Sequence, residues 1–444
     1  MHILHSLLSE LKEEFVHSRK GEERGAWFVY TLLAIIVPFT SSRTSNLLRA
    51  LQTLFGFVEI RKKRYYTFMA SPKIPWDKLW SRTWKMIPEP ETNGRLLVAL
   101  DDFINPKTGR KIFGCASVFD HAAKQNQSKY PWAQNIVSIG LLKVIKGRWA
   151  CLPLAHHYYH LKKDIEKNRP TYKGRAIAFQ SKHGQAVNML TGVAAEFPES
   201  KMIVVADSWF GNNGMWKPLH EQLGERVHII SRLRSNNNLF ELPTVPIKRG
   251  KGRPRTYGDK LGTSSSVAAA HKEQAREYTV NLYGRDRTVQ AYDRIVMLKT
   301  LKCKVKVVWI FRRTQWVALF STDLDLSVEE IIEYYGARWK IEACFKELKR
   351  DIGSADTQNR NPVAVTNHLD FCMMATTLTW IYACRLEKTP IRRHAVIGRG
   401  HFAFSDVRRL VAQAALDKNF ALLCPNPGKS VAKSLVAALL RMAA

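Results

Sequence analysis

The stretch IIEYYGARWKIEACFKELKRDI, residues 331–352, decides how the rest of the chain is read. It has no proline and a single glycine among good helix formers, which predicts one long helix. At about 100° per residue, Tyr335, Arg338, Glu342 and Lys349 fall within roughly 60° of one another. Ile341, Phe345, Leu348 and Ile352 form an apolar stripe beside them, and Glu333, Lys340, Glu347 and Asp351 fall on a far face expected to be solvated. The helix therefore buries one edge and carries Tyr, Arg, Glu and Lys along the boundary. Charge there costs free energy unless it is paired or liganded. An i,i+4 salt bridge from Arg338 to Glu342 accounts for one pair on an ordinary amphipathic helix. The whole row also suits a carboxylate that holds a metal while its neighbours hold phosphate.

Composition narrows the partner. Lysine and arginine number 69 against 38 acids, a net charge of +31, far more than solubility needs. A polyanion is expected, nucleic acid first and anionic membrane second. The longest apolar run, residues 26–37 before Pro38, is too short to cross a bilayer and reads as a buried helix, so a membrane partner is disfavoured. The N-terminus lacks a cationic region followed by a cleavable apolar core, and a cytoplasmic protein is expected. The cysteines, Cys115, Cys151, Cys303, Cys344, Cys372, Cys384 and Cys424, are scattered without a CxxC pair and read as reduced core thiols. A hydrophobic share of 45% over 444 residues is enough for two or three domains.

Residues 1–92 read as helical, with Leu7, Leu8, Leu11 and Phe15 at helical spacing and a second helix over 41–57. The run RKKRYY, residues 61–66, is either a solvated loop or a grip on phosphates. PEPETN, residues 88–93, is a linker. Residues 93–232 carry strand patterns at 96–100, 111–119, 136–144 and 149–154, a helix at 185–197, a strand at 202–206, a helix at 215–223 and a strand at 227–230. That order predicts a mixed sheet covered by helices. Residues 233–322 read as a β-rich insertion, with strands at 277–283, 287–292, 295–301, 304–312 and 316–321 and loop-like stretches at 236–238, 248–255 and 262–266. Residues 323–360 return to the core with the helix, and residues 361–444 are helical, with apolar stretches at 373–383 and 435–442.

Asp101-Asp102 and Asp207 each end a buried strand pattern ahead of Glu342, which gives Asp, Asp and Glu in chain order. With the spacing Tyr-x2-Arg-x3-Glu-x6-Lys and the local sequence VVADSWFGN around Asp207, the chain resembles the DDE transposases of bacterial insertion sequences, specifically the IS-four group with its YREK motif. The resemblance spans roughly residues 95–360. It implies an RNase H-like mixed sheet with helices on both faces, a β-rich insertion, and flanking helical regions of which the N-terminal one binds DNA. It implies that Asp101, Asp207 and Glu342 hold two Mg²⁺ ions, for which Mn²⁺ substitutes, and that Tyr335, Arg338 and Lys349 contact DNA. The implied partner is double-stranded DNA, both transposon ends and target, handled by a homodimer that cuts the ends and joins their 3′-OH groups to the target. A catalytically inactive, domesticated relative acting as a DNA-binding regulator is the alternative, and a structure-selective nuclease of the same fold is a third.

Three carboxylates suit this chemistry because phosphodiester cleavage needs a strong nucleophile and charge stabilisation, which two hard cations roughly 4 Å apart supply. Magnesium takes oxygen ligands. The first carboxylate is Asp101 or Asp102, since adjacent strand residues face opposite ways. The likeness of LVALD to VVAD favours Asp101, although Phe103 stands where relatives place threonine. Asp207 also reads as a simple turn cap at a strand end.

Other features are less specific. KGRPR, residues 251–255, with Arg253 and Arg255, suits a narrow A·T minor groove or is a basic loop. His156, His157 and His160 lack evident acidic partners for a metal site. KQNQSKYPW, residues 124–132, is a DNA-facing loop or an ordinary hairpin connection. Trp209, Trp316 and Trp339 are expected in the core, with stacking on a base as the alternative.

Overall fold

The computed structural model describes residues 2–39, 41–120, 123–243, 255–394, 396, 400–417 and 420. Arg253, most of the KGRPR segment, Cys424 and the apolar stretch 435–442 lie outside the described residues.

The first part of the chain is helical: α1 (His2–Glu13), α2 (Arg19–Ile36), α3 (Thr44–Leu54), α4 (Lys62–Met69) and α5 (Trp76–Lys85). Leu4, Leu7, Leu8 and Leu11 form the buried stripe of α1. The hydroxyl of Ser18 accepts the Gly21 N–H and starts α2, whose apolar run is buried as expected. RKKRYY is not a solvated loop. Tyr65, Phe68 and Met69 bury one face of α4, and residues 61–64 stay exposed on the other.

Strands β1 (Arg95–Pro106), β2 (Cys115–Ser117), β3 (Trp132–Ile145) and β4 (Arg148–Tyr159) follow. Helix α6 (Lys162–Asn168), the ribbon β5 (Thr171–Tyr172) with β6 (Arg175–Ala176), and α7 (Lys182–Glu196) lead to the unit β7 (Lys201–Ala206), α8 (Asn213–Leu223), β8 (Val227–Leu233). β1 runs antiparallel to β3, and β3 to β4, while β1, β7 and β8 are mutually parallel. The resulting order β4-β3-β1-β7-β8 is an RNase H-like mixed sheet. Residues 96–100 and 202–206 are fully buried, which explains their unbroken apolar runs: both faces of these central strands are covered. β1 does not end at Asp101. It continues to Pro106, because β3 pairs with it over that whole length. The strand expected over 111–119 shrinks to Cys115–Ser117.

Next come β9 (Asn238–Phe240), β10 (Lys260–Thr263), α9 (Ser264–His271), β11 (Arg276–Leu282), β12 (Arg285–Leu298), β13 (Cys303–Arg312) and β14 (Gln315–Ser321). β14 pairs antiparallel with β8, Ala318 opposite Leu233, so these strands extend the same sheet to twelve strands among the described residues. Residues 287–292 and 295–301 do not form two strands. One long β12 covers most of both, paired with β11 from Arg285 to Ala291 and with β13 from Gln290 to Leu298. GTSSS is not a loop: Thr263 ends β10 and its hydroxyl caps α9.

The decisive stretch is not one uniform α-helix. It begins as α10 (Val328–Ala337), opened by a capping box between Ser327 and Glu330. The Arg338 N–H is then shared between the carbonyls of Tyr334 and Tyr335, each at 3.2 Å. The chain continues as α11 (Trp339–Lys346) and a π-helical turn, Glu347–Ile352, ended by Gly353 at φ 83°. A π turn rotates less per residue than an α turn and often marks a functional site. The far face is half-buried and not fully solvated. Glu333 accepts the Asn281 N–H of β11 at 2.6 Å. The Glu347 carboxyl is enclosed and driven up to about 8 by burial.

The last elements are α12 (Pro362–Arg385) and α13 (Phe404–Ala415). α12 is buried almost all round, between the sheet and the N-terminal helices. Trp76 donates to Asn367 at 2.8 Å and Trp80 to Asp370 at 3.1 Å, which ties α5 to α12. Among the described residues no helix is long and apolar enough to cross a membrane.

Candidate active site

Register brings the two aspartates together. β1 and β7 are parallel and Leu100 lies opposite Ala206, so Asp101 and Asp207 are the next neighbours and share one face of the sheet. Asp102, one residue on, points to the opposite face, where its Oδ2 accepts from Lys182 Nζ of α7 at 2.8 Å. Asp101 faces α11. Arg338 donates from Nη1 to Asp101 Oδ2 at 2.9 Å and from Nη2 to Glu342 Oε1 at 3.1 Å. One guanidinium thus bridges carboxylates from a strand and a helix.

Phe103 supplies the docking. It lies two residues beyond Asp101 on the same face and stacks on Phe345 of α11, with ring centroids 4.3 Å apart. The position that departs from the family pattern therefore holds the Glu342 helix against the Asp101 strand. Lys349 has its Nζ 6.0 Å from the Phe103 ring, and the charge of Asp120 acts on it. Tyr335 and Trp339 flank Arg338, with ring centroids 5.7 and 5.5 Å from the guanidinium carbon.

Asp207 does cap a turn. Its Oδ1 accepts the N–H groups of Trp209 and Phe210, both at 3.0 Å, and Ser231 Oγ bonds its carbonyl. A Cβ on Gly211 would lie 2.2 Å from Ser231 Oγ, so this loop closes only with glycine. Asp207 Oδ2 makes no hydrogen bond among the described residues.

Burial pushes the Asp101 carboxyl up to about 7. Arg338 opposes this, and the charge of Asp207 adds to it. The Nε of Arg338 is buried without a hydrogen-bond partner. A cation would relieve the two adjacent aspartates, and the all-oxygen donor set suits a hard divalent ion. Asp101 and Asp207 are the residues whose side chains would face such an ion. Arg338 stands between Asp101 and Glu342, and among the described residues no three His, Cys, Asp or Glu side chains are grouped closely enough to hold a metal.

Several features escaped the sequence reading. Trp209 and Trp339 are not core residues; they are 43% and 49% exposed at the mouth of the site. His183 stacks on Trp209 at 4.4 Å and 8°, and Lys182 lies over both Tyr159 and Trp209. His156 does have an acidic neighbour, Asp370 at 3.8 Å, but burial drives its imidazole down to about 3, and with His157 and His160 it lines a cavity of about 200 Å³. Arg255 is exposed, remote in sequence from these residues.

An RNase H-like sheet that places two aspartates on adjacent parallel strands defines a nuclease-type scaffold. A model of the DDE superfamily endonuclease family matches residues 20–292, more than half of the chain, and the protein belongs to that family. The match spans Asp101 and Asp207 and stops before Glu342. Membership makes this a transposase-like nuclease whose substrate is DNA, in a family that generally uses divalent metals. No match was found among curated proteins.

Proposed function

We propose that this protein is a cut-and-paste transposase of the insertion-sequence type, close to the IS-four group, with Asp101, Asp207 and Glu342 as its catalytic carboxylates. The observation that carries the reading is the bridge from Asp101 through Arg338 to Glu342, beside an Asp207 on the same sheet face. Asp102 is engaged by Lys182 on the other face, which favours Asp101 as the first carboxylate.

The three carboxylates would hold Mg²⁺ or Mn²⁺, which when bound supplies an activated oxygen nucleophile and neutralises charge on an in-line displacement. The chain's own residues position DNA. The planar fork of Arg338 exchanges carboxylate oxygens for phosphate oxygens with little change in geometry. Tyr335 and Lys349, on the same helix, hold the backbone on either side. The N-terminal helices grip a further stretch. A groove of about 540 Å³ between α4 and the start of α12 is lined by Lys63, Tyr66, Lys73, Asn359 and Asn361, with no acidic residue in its wall. A homodimer in the bacterial cytoplasm, each subunit cutting the end bound by the other, is the working assembly.

The test is cleavage and joining of the DNA that flanks this coding region. Wild-type protein with Mg²⁺ should nick the end and transfer it to a target duplex. Glu342→Gln should bind the same DNA and do neither. Wild type that binds without nicking supports instead a DNA-binding regulator. Nicking without joining supports a plain nuclease.

A further inference from the structure

The connection from β1 to β3 has no role in the site as described, and its composition is unlike the rest of the sheet. Residues 107–131 contain one acid, Asp120, against Lys107, Arg110, Lys111, Lys124 and Lys129. Lys107 is spent on structure: its Nζ bonds the carbonyls of Ala355 and Thr357. Asp120 lies near enough for its charge to act on Lys349 of the Glu342 segment. Lys124 and Lys129 are exposed and form no ion pair among the described residues. Around them stand three large aromatic side chains open to solvent: Tyr130 at 62%, Phe119 at 44% and Trp132 at 36% exposure. Phe119 and Tyr130 meet edge to face at 5.3 Å, and Trp132 is steadied by a bond to the Gly109 carbonyl at 3.2 Å.

Open aromatic rings interleaved with uncompensated cations are the surface chemistry of nucleic-acid contact, since cations take phosphates and ring faces take bases. Placement sets which part of the DNA is met. β1 carries Asp101 and runs straight on to Pro106, about 17 Å at strand rise. Along that line Arg338 stands at Asp101 and Lys349 over Phe103, and the lysines of the connection come next. Tyr130 lies eight residues before Ser138, the partner of Asp101 in the register, so the reach to it extends to about 27 Å; in duplex DNA the two spans are about five and about eight base pairs, at roughly 3.4 Å per step.

We infer that this connection is a second DNA-contacting element, which holds the flank of the cleaved bond about five to eight base pairs away. Lys124 and Lys129 take phosphates, and Tyr130 stacks on a base where the duplex is opened. The inference rests on the reading of DNA as substrate.

Full-length protein, chelated to prevent cleavage, is titrated into a nicked duplex and into the same duplex with a two-nucleotide mismatch placed in turn about five and about eight base pairs from the nick, over a series of salt concentrations. Lys124→Ala/Lys129→Ala should weaken binding to both probes and lower the salt slope by about two. Tyr130→Ala should bind the intact probe within about twofold of wild type and lose a preference of at least about fivefold for the mismatched one. All substituted side chains are exposed, and circular dichroism confirms folding. An unchanged salt slope in the lysine variant overturns the contact. A lowered slope with a silent Tyr130→Ala overturns the stacking. Wild type that binds neither probe overturns the DNA reading itself, a different outcome from either.

Discussion

Arg338 and Asp101, 237 residues apart in the chain, are joined by a charge-assisted hydrogen bond of 2.9 Å. The same guanidinium reaches Glu342, so one cation stands between the two carboxylates that the proposed chemistry would use. Replacing Arg338 with alanine leaves both without their partner. Losing one member of a buried pair costs about 3–5 kcal/mol, less here because Asp101 takes up a proton readily with its carboxyl near 7. Mg²⁺ should therefore raise the melting temperature of Arg338→Ala more than that of wild type, as the freed carboxylates take the ion. DNA nicking should fall by about 10² or more. Arg338→Lys should recover little, since a point charge does not bond two carboxylates at once. Equal Mg²⁺ shifts in variant and wild type would remove the argument that Arg338 occupies the cation's place.

The two neighbouring aspartates should behave oppositely. Asp101→Asn removes the carboxylate beside Asp207 and should abolish Mg²⁺-dependent nicking. Asp102→Asn loses only its bond with Lys182, worth about 1–3 kcal/mol, and should keep activity within about tenfold. Thermal denaturation and plasmid nicking on the two variants separate them. Activity lost in Asp102→Asn and kept in Asp101→Asn would reverse the assignment.

Phe103 should matter as much as a carboxylate without touching DNA. Its ring on Phe345 is what docks α11 on β1. Phe103→Ala should cost about 3–5 kcal/mol and lower nicking together with stability. Phe103→Leu, which keeps most of the apolar volume, should recover both. Recovery of stability alone would show that the ring also orients Glu342.

These residues show what the sequence makes legible. Buried strands 96–100 and 202–206 announce themselves by unbroken apolar runs, and the aspartates follow from them. Their adjacency does not, because it depends on β1 and β7 being parallel neighbours across a hundred residues. The choice between Asp101 and Asp102 is a matter of which face α11 covers, and only packing decides that. The helix was legible as a helix. Its π turn was not, since i→i+5 bonding leaves no mark on a 100° pattern, and so the solvated far face was an error of phase and of unseen neighbours.

Glu347 turns that error into a measurement. Burial raises its carboxyl from the usual carboxylate range to about 8, opposed by the charges of Arg148 of β4 and Lys340 and reinforced by that of Asp351. The folded protein therefore keeps the proton over a range in which the unfolded chain has lost it. Between those limits the folded state binds more protons, so stability falls as pH rises from about 4.5 through about 8, by up to about 5 kcal/mol. Glu347→Gln cannot ionise and should escape that loss. Chemical denaturation at pH 5 should find the variant and wild type close, and at pH 9 the variant should be the more stable. If the two proteins lose stability in parallel between these pH values, Glu347 is ionised in the fold and Arg148 compensates its burial in full.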